Sequence, residues 1–247
     1  MGKLGLVALA LALSTRATVK AAELHIIAGG GIAAPLNEIA VQFESSTGHK
    51  AFIRYGTTPE LIKMATSTAF DLGVVPQDVF KDSAARSQFT PDETPIVARV
   101  GLAVAVRAGA SKPDISTPEA LKRVLLNAQA IASIPASATG TQLAGVYDHL
   151  GISEEMKEKT RAQPGPVQIV EAVAKGECDL AVFLINVLND PRLDVVGAFP
   201  AEVQREVVYA TGIAANGKEP DAAKAFITYL RSSAAARVIK AKGMNPG

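Results

Sequence analysis

Four short loops of small and kinked residues each follow an apolar run and precede a helical pattern. They are IIAGGGIAAPL at 26–36, FIRYGTTPEL at 52–61, IASIPASATGTQL at 131–143 and QPGPVQIV at 163–170. A helix N-terminus carries unpaired backbone N–H groups and a partial positive charge, so several of them in one cleft would hold a small anion without Lys or Arg. One such loop alone means little, because Gly, Thr and Pro punctuate turns in any α/β protein. The set of four predicts anion binding.

Residues for other chemistry are sparse. The three histidines, His25, His49 and His149, lie far apart and share no ligand spacing, so the sequence predicts no metal site and no cofactor. Cys178 is the single cysteine, which excludes an internal disulfide. It stands just before the apolar run LAVFLI, and we expect it to be a small residue at the edge of the core.

The first residues have the pattern of a secretory signal peptide. Lys3 precedes an apolar stretch at 4–13, and small residues precede Ala22, so residues 1–21 are interpreted as the signal. The apolar stretch is too short to span a bilayer. The sequence therefore predicts export to the periplasm and a mature chain that begins at Ala22 or Glu23.

Charge argues against a nucleic-acid partner. The formal net charge of the 247 residues is +1, and it becomes −2 without the signal segment, which carries Lys3, Arg16 and Lys20 and no acid. Nucleic-acid binding usually requires a basic surface. A hydrophobic fraction of 48% supports one large or two modest domains without disulfides or metals.

Strand-like and helix-like segments alternate along the chain. Leu36, Ile39, Ala40 and Phe43 are spaced as one face of a helix that ends at Gly48. A second helix is expected from Thr58, with Pro59 in its first turn. The apolar run at 97–106, after a Pro- and Thr-rich stretch, is where we expect the chain to cross into a second unit. Further strands are predicted at 24–30, 51–55, 71–76, 130–135, 179–185 and 207–215, and further helices at 117–126, 141–151, 167–177 and 221–243.

Such alternation predicts an α/β protein with parallel sheets covered on both faces. The segments at 26–75, at 175–185 (KGECDLAVFLI) and at 223–244 (AKAFITYLRSSAAARVIKAKGM) resemble the molybdate-binding-type periplasmic solute-binding proteins of ABC importers. The resemblance implies a two-lobed type II binding-protein fold, with two parallel-rich sheets and an interlobe cleft. It implies one lobe from 22–100 and 200–247, a second lobe from 101–199, and a monomer that docks on an ABC permease.

The family's ligand positions can be carried over to this chain. Backbone N–H groups serve at the first position, where the family has a serine and this chain has glycine. The second hydroxyl position matches Thr58, with Thr57 beside it. A backbone donor of the second lobe lies among three consecutive residues. The resemblance thus implies ligand contacts from Gly30, Gly31, Thr57, Thr58, Thr139, Gly140 and Thr141.

Three family contacts are altered. Gly31 replaces the serine, Pro166 has no N–H where a backbone donor is expected, and Leu184 replaces a tyrosine hydroxyl. Each hydrogen bond lost to a charged ligand removes roughly 1.5–3 kcal/mol. These changes disfavour molybdate or tungstate and favour a small organic carboxylate, which an apolar wall at Phe183 and Leu184 also suits.

Arg54 is the cationic candidate for the cleft. It stands near the end of a predicted strand and could present a bidentate fork to a carboxylate. The alternative is an arginine at the surface. Lys63 and Lys175 are expected to be surface charges, and Asp71, at the start of a strand, a structural residue.

Two functions remain. The first is a carrier that delivers a small anion to a permease. The alternative is a cofactor-free isomerase of the aconitate-isomerase type on the same scaffold, which would convert trans- to cis-aconitate by a 1,3-proton shift and would need an acid or base beside the anion. Tyr55, Glu60 and His25 are candidates, but none lies in a diagnostic motif. The sequence therefore assigns no catalytic residue.

Overall fold

A computed structural model describes residues 21–247. The predicted signal peptide, residues 1–21, lies outside the described residues apart from Ala21. Among residues 21–247, no helix is both long and apolar enough to cross a membrane.

The N-terminal part alternates strands and helices as the sequence predicts. Gly48 ends the first helix in the left-handed conformation, with φ of 79°. A short 3-10 turn at Gly30–Ile32 joins the first strand to that helix. The elements are β1 (Glu23–Gly29), α1 (Ala33–Thr47), β2 (Lys50–Gly56), α2 (Thr58–Ser67), β3 (Leu72–Pro76), a 3-10 turn at Gln77–Lys81, and α3 (Ser83–Arg86).

The middle of the chain contains a long strand and a second alternating unit. The helix expected from residue 141 begins at Ala138, because the Ser137 side chain caps its first turn. Two helices and two strands in this part were not predicted: the helices at Ser153–Lys159 and Ile185–Leu188, and the strands at Thr160–Ala162 and Leu193–Ala198. The elements are β4 (Ile96–Arg107), α4 (Pro118–Asn127), β5 (Ile131–Ser133), α5 (Ala138–Leu150), α6 (Ser153–Lys159), β6 (Thr160–Ala162), α7 (Pro166–Ala174), β7 (Leu180–Leu184), α8 (Ile185–Leu188) and β8 (Leu193–Ala198).

The chain then returns to the first unit. It forms β9 (Glu206–Ile213), α9 (Pro220–Leu230), α10 (Ser233–Ala241) and the short β10 (Asn245–Pro246). The prediction of one helix at 221–243 is wrong, because Ser232 leaves the helical conformation and its hydroxyl accepts a hydrogen bond from the Ala235 N–H at 3.2 Å. The two helices pack on α1, where the Phe226 and Phe43 rings meet edge to face at 4.8 Å.

The strand β4 is shared by two lobes. The first lobe has the strand order β2-β1-β3-β9-β4, and the second continues from β4 through β7 and β5 to β6. Pairs among β1, β2 and β3, and among β5, β6 and β7, are parallel, whereas β4 and β9 run antiparallel to their neighbours. The partner of β4 changes from β9 at Gly101 to β7 at Leu102. The boundary of the lobes near residue 100 stays a prediction.

A side-chain amide stabilises the crossing between the lobes. Gln204 accepts a hydrogen bond from the Leu102 N–H at 2.9 Å and donates one to the Leu102 carbonyl at 3.0 Å. It thereby satisfies backbone groups where one sheet ends and the next begins. The crossing strands place the carboxyl ends of β1, β2, β5 and β7 around a common space.

Candidate functional site

The four loops that were predicted to bind an anion meet in one cleft between the lobes. The cavity has a volume of about 270 Å³. Three loops contribute residues next to the starts of α1, α2 and α5, and the fourth contributes the start of α7. The lining residues are Gly29, Gly30, Gly31, Tyr55, Gly56, Thr57, Thr58, Glu60, Pro76, Ile134, Ser137, Ala138, Thr139, Pro164, Pro166, Phe183 and Tyr209.

The start of α2 presents an unpaired hydroxyl to this cleft. Thr57 and Glu60 form a capping box, in which one Glu60 carboxylate oxygen accepts from the Thr57 N–H at 2.7 Å and from its hydroxyl at 2.8 Å. These bonds lower the pKa of the Glu60 carboxyl. Thr58 Oγ1 is buried and has no hydrogen-bond partner within the protein. A buried hydroxyl without a partner is costly, which points to a ligand or water as its partner.

The glycine run after β1 makes room for a tyrosine. None of Gly29, Gly30 and Gly31 has a positive φ, so backbone conformation does not require glycine there. A Cβ at Gly29 would lie 2.7 Å from Tyr209 Cε1, and a Cβ at Gly31 would collide with the Tyr209 hydroxyl and lie 2.5 Å from Leu184 Cδ1. Space is therefore what these two glycines provide.

Tyr209 is a cleft residue that the sequence analysis missed. It stands on β9, is 2% exposed and lines the cavity. Burial raises the pKa of its hydroxyl, so the group stays neutral and keeps its proton. The available signal was a lone aromatic polar residue in the apolar run VVYATGIAA, but nothing in that run shows which cavity the ring faces.

The second lobe contributes the start of α5. Ser137 Oγ accepts from the Gly140 N–H at 3.0 Å and donates to the Ile134 carbonyl at 2.7 Å, which fixes the first turn. A Cβ at Gly140 would collide with the Pro135 carbonyl, so glycine is needed for close packing. Of the three ligand contacts predicted here, only Thr139 lines the cleft. The Gly140 N–H is bonded to the Ser137 cap. Thr141 is exposed, and its hydroxyl lies 3.3 Å from the Ser137 carbonyl.

Of the two altered positions in the second lobe, Pro166 lines the cleft and Leu184 does not. Pro166 begins α7 and lines the cleft, and a Cβ at Gly30 would lie 3.6 Å from its Cγ across the lobe boundary. Leu184 is fully buried against Gly31. Neither side chain offers a hydrogen bond to a ligand.

The placement of Arg54 in the cleft is wrong. Its guanidinium donates to Thr68 Oγ1 at 3.1 Å and to the Ala69 carbonyl at 2.9 Å, and it lines a separate surface pocket with His25 and Asp71. Successive side chains of a strand point to opposite faces. Tyr55, the next residue of β2, therefore faces the cleft, and Arg54 faces away from it.

His25 also lies away from the cleft, in that second pocket, where its ring stacks on Phe52 at 5.4 Å. Asp71 has the structural role expected of it. Its carboxylate accepts from the backbone N–H groups of His25 at 2.8 Å and Lys218 at 2.7 Å, and so joins β1 to the approach to α9.

No cationic side chain lines the cleft in the described part of the chain. Its titratable groups are Tyr55, Glu60 and Tyr209. Burial raises the pKa of the Tyr55 hydroxyl, which donates to Asn37 Oδ1 at 2.6 Å. The Glu60 carboxylate is the one charged side chain among the described lining residues, so any positive potential in the cleft comes from the helix N-termini. Within residues 21–247, no three metal-ligating side chains come together, and Cys178 is buried at 4% exposure, where burial raises the pKa of its thiol.

The sequence of residues 24–245 matches the family model described as bacterial extracellular solute-binding protein. The chain belongs to this family. It is 31% identical over 232 residues to an aconitate isomerase from Pseudomonas sp., a match that covers 90% of this chain and 87% of the relative. These matches agree with the resemblance that the sequence analysis describes.

Solved structures with low identity confirm the fold. The periplasmic molybdate-binding protein of Azotobacter vinelandii superposes with a TM-score of 0.71 at 21% identity, over 90% of this chain and 98% of that one. The sulfate-binding protein SubI from Mycobacterium tuberculosis H37Rv gives a TM-score of 0.73 at 14% identity, over 91% and 87%. The α/β binding-protein architecture is thus confirmed.

One hydrogen bond of this solute-binding protein joins the two lobes beside the cleft. Asn186, in the second lobe, donates from Nδ2 to the Gly31 carbonyl at 2.8 Å. Its Oδ1 is buried without a hydrogen-bond partner within the protein. The bond joins the glycine loop of the first lobe to α8 of the second.

Proposed function

We propose that the chain is a periplasmic carrier that captures a small anion between its lobes and delivers it to an ABC permease. The ligand is an organic carboxylate rather than molybdate. The observation that carries the proposal is the meeting of several helix N-termini and the unpaired Thr58 hydroxyl in one interlobe cavity.

The lining of the cavity favours a carbon-containing ligand. Phe183, Ile134 and the prolines form apolar surface beside the donors. The cavity volume of about 270 Å³ far exceeds the roughly 10–15 Å³ that a cavity needs to hold one water, so a ligand of many atoms has room. Gly31, Pro166 and Leu184 withhold three donors that a compact oxyanion would use.

A thermal-shift screen tests the carrier. A ligand present at a hundredfold excess over its Kd stabilises the fold by about 2.7 kcal/mol, which for a chain of this size is roughly 5–10 °C. We expect trans-aconitate, citrate or a dicarboxylate to raise the melting temperature by this amount and molybdate to raise it much less. A large shift with molybdate and none with any carboxylate would contradict the proposed ligand class.

An isomerase is the second candidate. A relative at 31% identity is named aconitate isomerase, and Glu60 places a carboxylate in the cleft that could accept a proton. Two observations favour the carrier. Glu60 is held ionised and engaged by Thr57, with its pKa lowered, which makes it a weak base. Tyr55 and Tyr209, with raised pKa values, are poor bases at neutral pH.

Proton NMR in D₂O separates the two candidates. A carrier leaves trans-aconitate unchanged, because closure of the lobes moves no proton. An isomerase produces cis-aconitate in proportion to protein concentration. Glu60→Gln would abolish that turnover and keep the capping box, because glutamine also serves as the third residue of a helix in this motif. We expect no turnover by the wild type and unimpaired binding by Glu60→Gln. Turnover that disappears in this variant would establish the isomerase.

A further inference from the structure

The cleft lacks two hydroxyls at positions where the family resemblance expects them, Gly31 and Leu184. The structure brings a third hydroxyl to the same place from a different strand. The phenol oxygen of Tyr209 lies where a side chain at position 31 would begin, beside Leu184 Cδ1.

The packing around this ring is specific. Gly29 makes room for Cε1 of the ring and Gly31 for its hydroxyl. Gly30, between them, does not contact the ring in this way, because a Cβ there would meet only Pro166, at 3.6 Å. The glycine loop is therefore shaped around Tyr209 as well as around the cavity. The strand that carries the ring, β9, is paired with β3 on one side and β4 on the other.

We propose that Tyr209 is the specificity-determining donor of the cleft: its neutral phenol binds one carboxylate of an organic acid, in place of the hydroxyls absent at Gly31 and Leu184. The inference rests on the proposed function, since it assigns a role within the same anion site. The phenol reaches the cavity from the crossing strand, so the ligand contacts β9 as well as the helix N-termini.

The chemistry of the surrounding wall selects the ligand class. The phenol is a donor that carries no charge, and no cationic side chain lines the cleft among the described residues. A carboxylate requires donors in its own plane, and its carbon skeleton requires apolar contacts, which Phe183, Ile134 and Pro166 supply. A bare tetrahedral oxyanion would leave that apolar surface without a partner.

Calorimetric titration with trans-aconitate and, separately, with molybdate tests this assignment. In Tyr209→Phe the ring and its packing stay, and only the hydroxyl is lost. Tyr147→Phe is the matched control, because Tyr147 is also buried and lines a different cavity in the second lobe. We expect Tyr209→Phe to weaken trans-aconitate binding about tenfold or more, the effect of one hydrogen bond to a charged group, and Tyr147→Phe to leave it unchanged.

The outcomes distinguish this inference from the proposed function. If the wild type binds trans-aconitate and Tyr209→Phe binds it equally well, the donor role of Tyr209 is wrong and the carrier proposal stands. If the wild type binds molybdate and not trans-aconitate, the carboxylate class is wrong for both. If the wild type binds neither probe, the proposed anion site fails and the inference fails with it. A melting temperature of Tyr209→Phe close to the wild-type value shows that a loss of affinity is not unfolding.

Discussion

The space that Gly31 leaves open is filled by the Tyr209 hydroxyl and by Leu184. A methyl group added there has no room, because the neighbours are a strand-anchored ring and a fully buried leucine. At Gly30 the same methyl group meets Pro166 at 3.6 Å, an ordinary van der Waals distance. The two adjacent glycines should therefore respond very differently to substitution.

We predict that Gly31→Ala destabilises the fold by about 1–3 kcal/mol through overpacking, whereas Gly30→Ala changes stability little. For a chain of this size each kcal/mol lowers the melting temperature by about 2–4 °C. Differential scanning calorimetry of the two variants measures the contrast. Equal melting temperatures would show that the ring moves aside freely.

Thr58 and Arg54 make a second contrast between residues of one β-α unit. Thr58 Oγ1 is buried without a partner beside the cavity, whereas the Arg54 guanidinium is bonded to Thr68 and Ala69 elsewhere. We predict that Thr58→Val weakens carboxylate binding by about 1.5 kcal/mol and does not reduce the stability of the free protein. Arg54→Ala should bind as the wild type does. Calorimetry with trans-aconitate checks both variants. A large loss of affinity in Arg54→Ala would show that the Arg54 side chain takes part in binding.

At the scale of elements, the start of α5 depends on a side-chain cap. Ser137 accepts from the Gly140 N–H and donates to the Ile134 carbonyl, so it orders the turn that carries Thr139 into the cleft. Ser232 caps α10 in the same way, with its hydroxyl accepting from the Ala235 N–H. That second helix takes no part in lining the cavity.

We predict that Ser137→Ala and Ser232→Ala each destabilise the fold by about 1 kcal/mol, the usual effect of losing a cap. Only Ser137→Ala should also weaken trans-aconitate binding, several-fold, because it disorders the donors at the cleft. Melting temperatures and titrations of both variants provide the measurement. Loss of affinity in Ser232→Ala as well would mean that general destabilisation, and not the α5 turn, controls binding.

Elements were predictable from the sequence where local chemistry is decisive. The apolar spacing of α1, its terminal Gly48 and the Thr58-Pro59 start of α2 are local signals, and the structure contains each of these features. The break at Ser232 was missed because the apolar pattern continues through it on both sides. Arg54 was misplaced because alternation along a strand fixes which residues share a face, but not which face borders the cleft. The position of Tyr209 at the cleft could not be predicted, because it depends on the pairing of β9 with β3, which brings together residues distant in sequence.

At the scale of the whole molecule, one hydrogen bond joins the two lobes. Asn186 joins the second lobe to the Gly31 carbonyl, next to the glycine loop that lines the cleft. The lobes are also linked by β4, by the chain that returns through Gln204, and by the packing of Leu184 against Gly31. The bond joins the two lobes, so it favours the arrangement seen here over one in which the lobes lie further apart.

We predict that Asn186→Ala shifts the ligand-free protein toward an open arrangement. Loss of one hydrogen bond of about 1 kcal/mol changes the ratio of closed to open molecules about fivefold, so the Kd for trans-aconitate should rise by no more than that factor. Small-angle X-ray scattering should give a larger radius of gyration for the free variant than for the free wild type, and equal radii once both are saturated with ligand. Asn189→Ala, at an exposed amide just beyond α8, is the control and should match the wild type. If Asn186→Ala also matches the wild type in both measurements, the bond between Asn186 and the Gly31 carbonyl does not contribute to closure, and the packing of Gly31 against Leu184 would have to hold the lobes together instead.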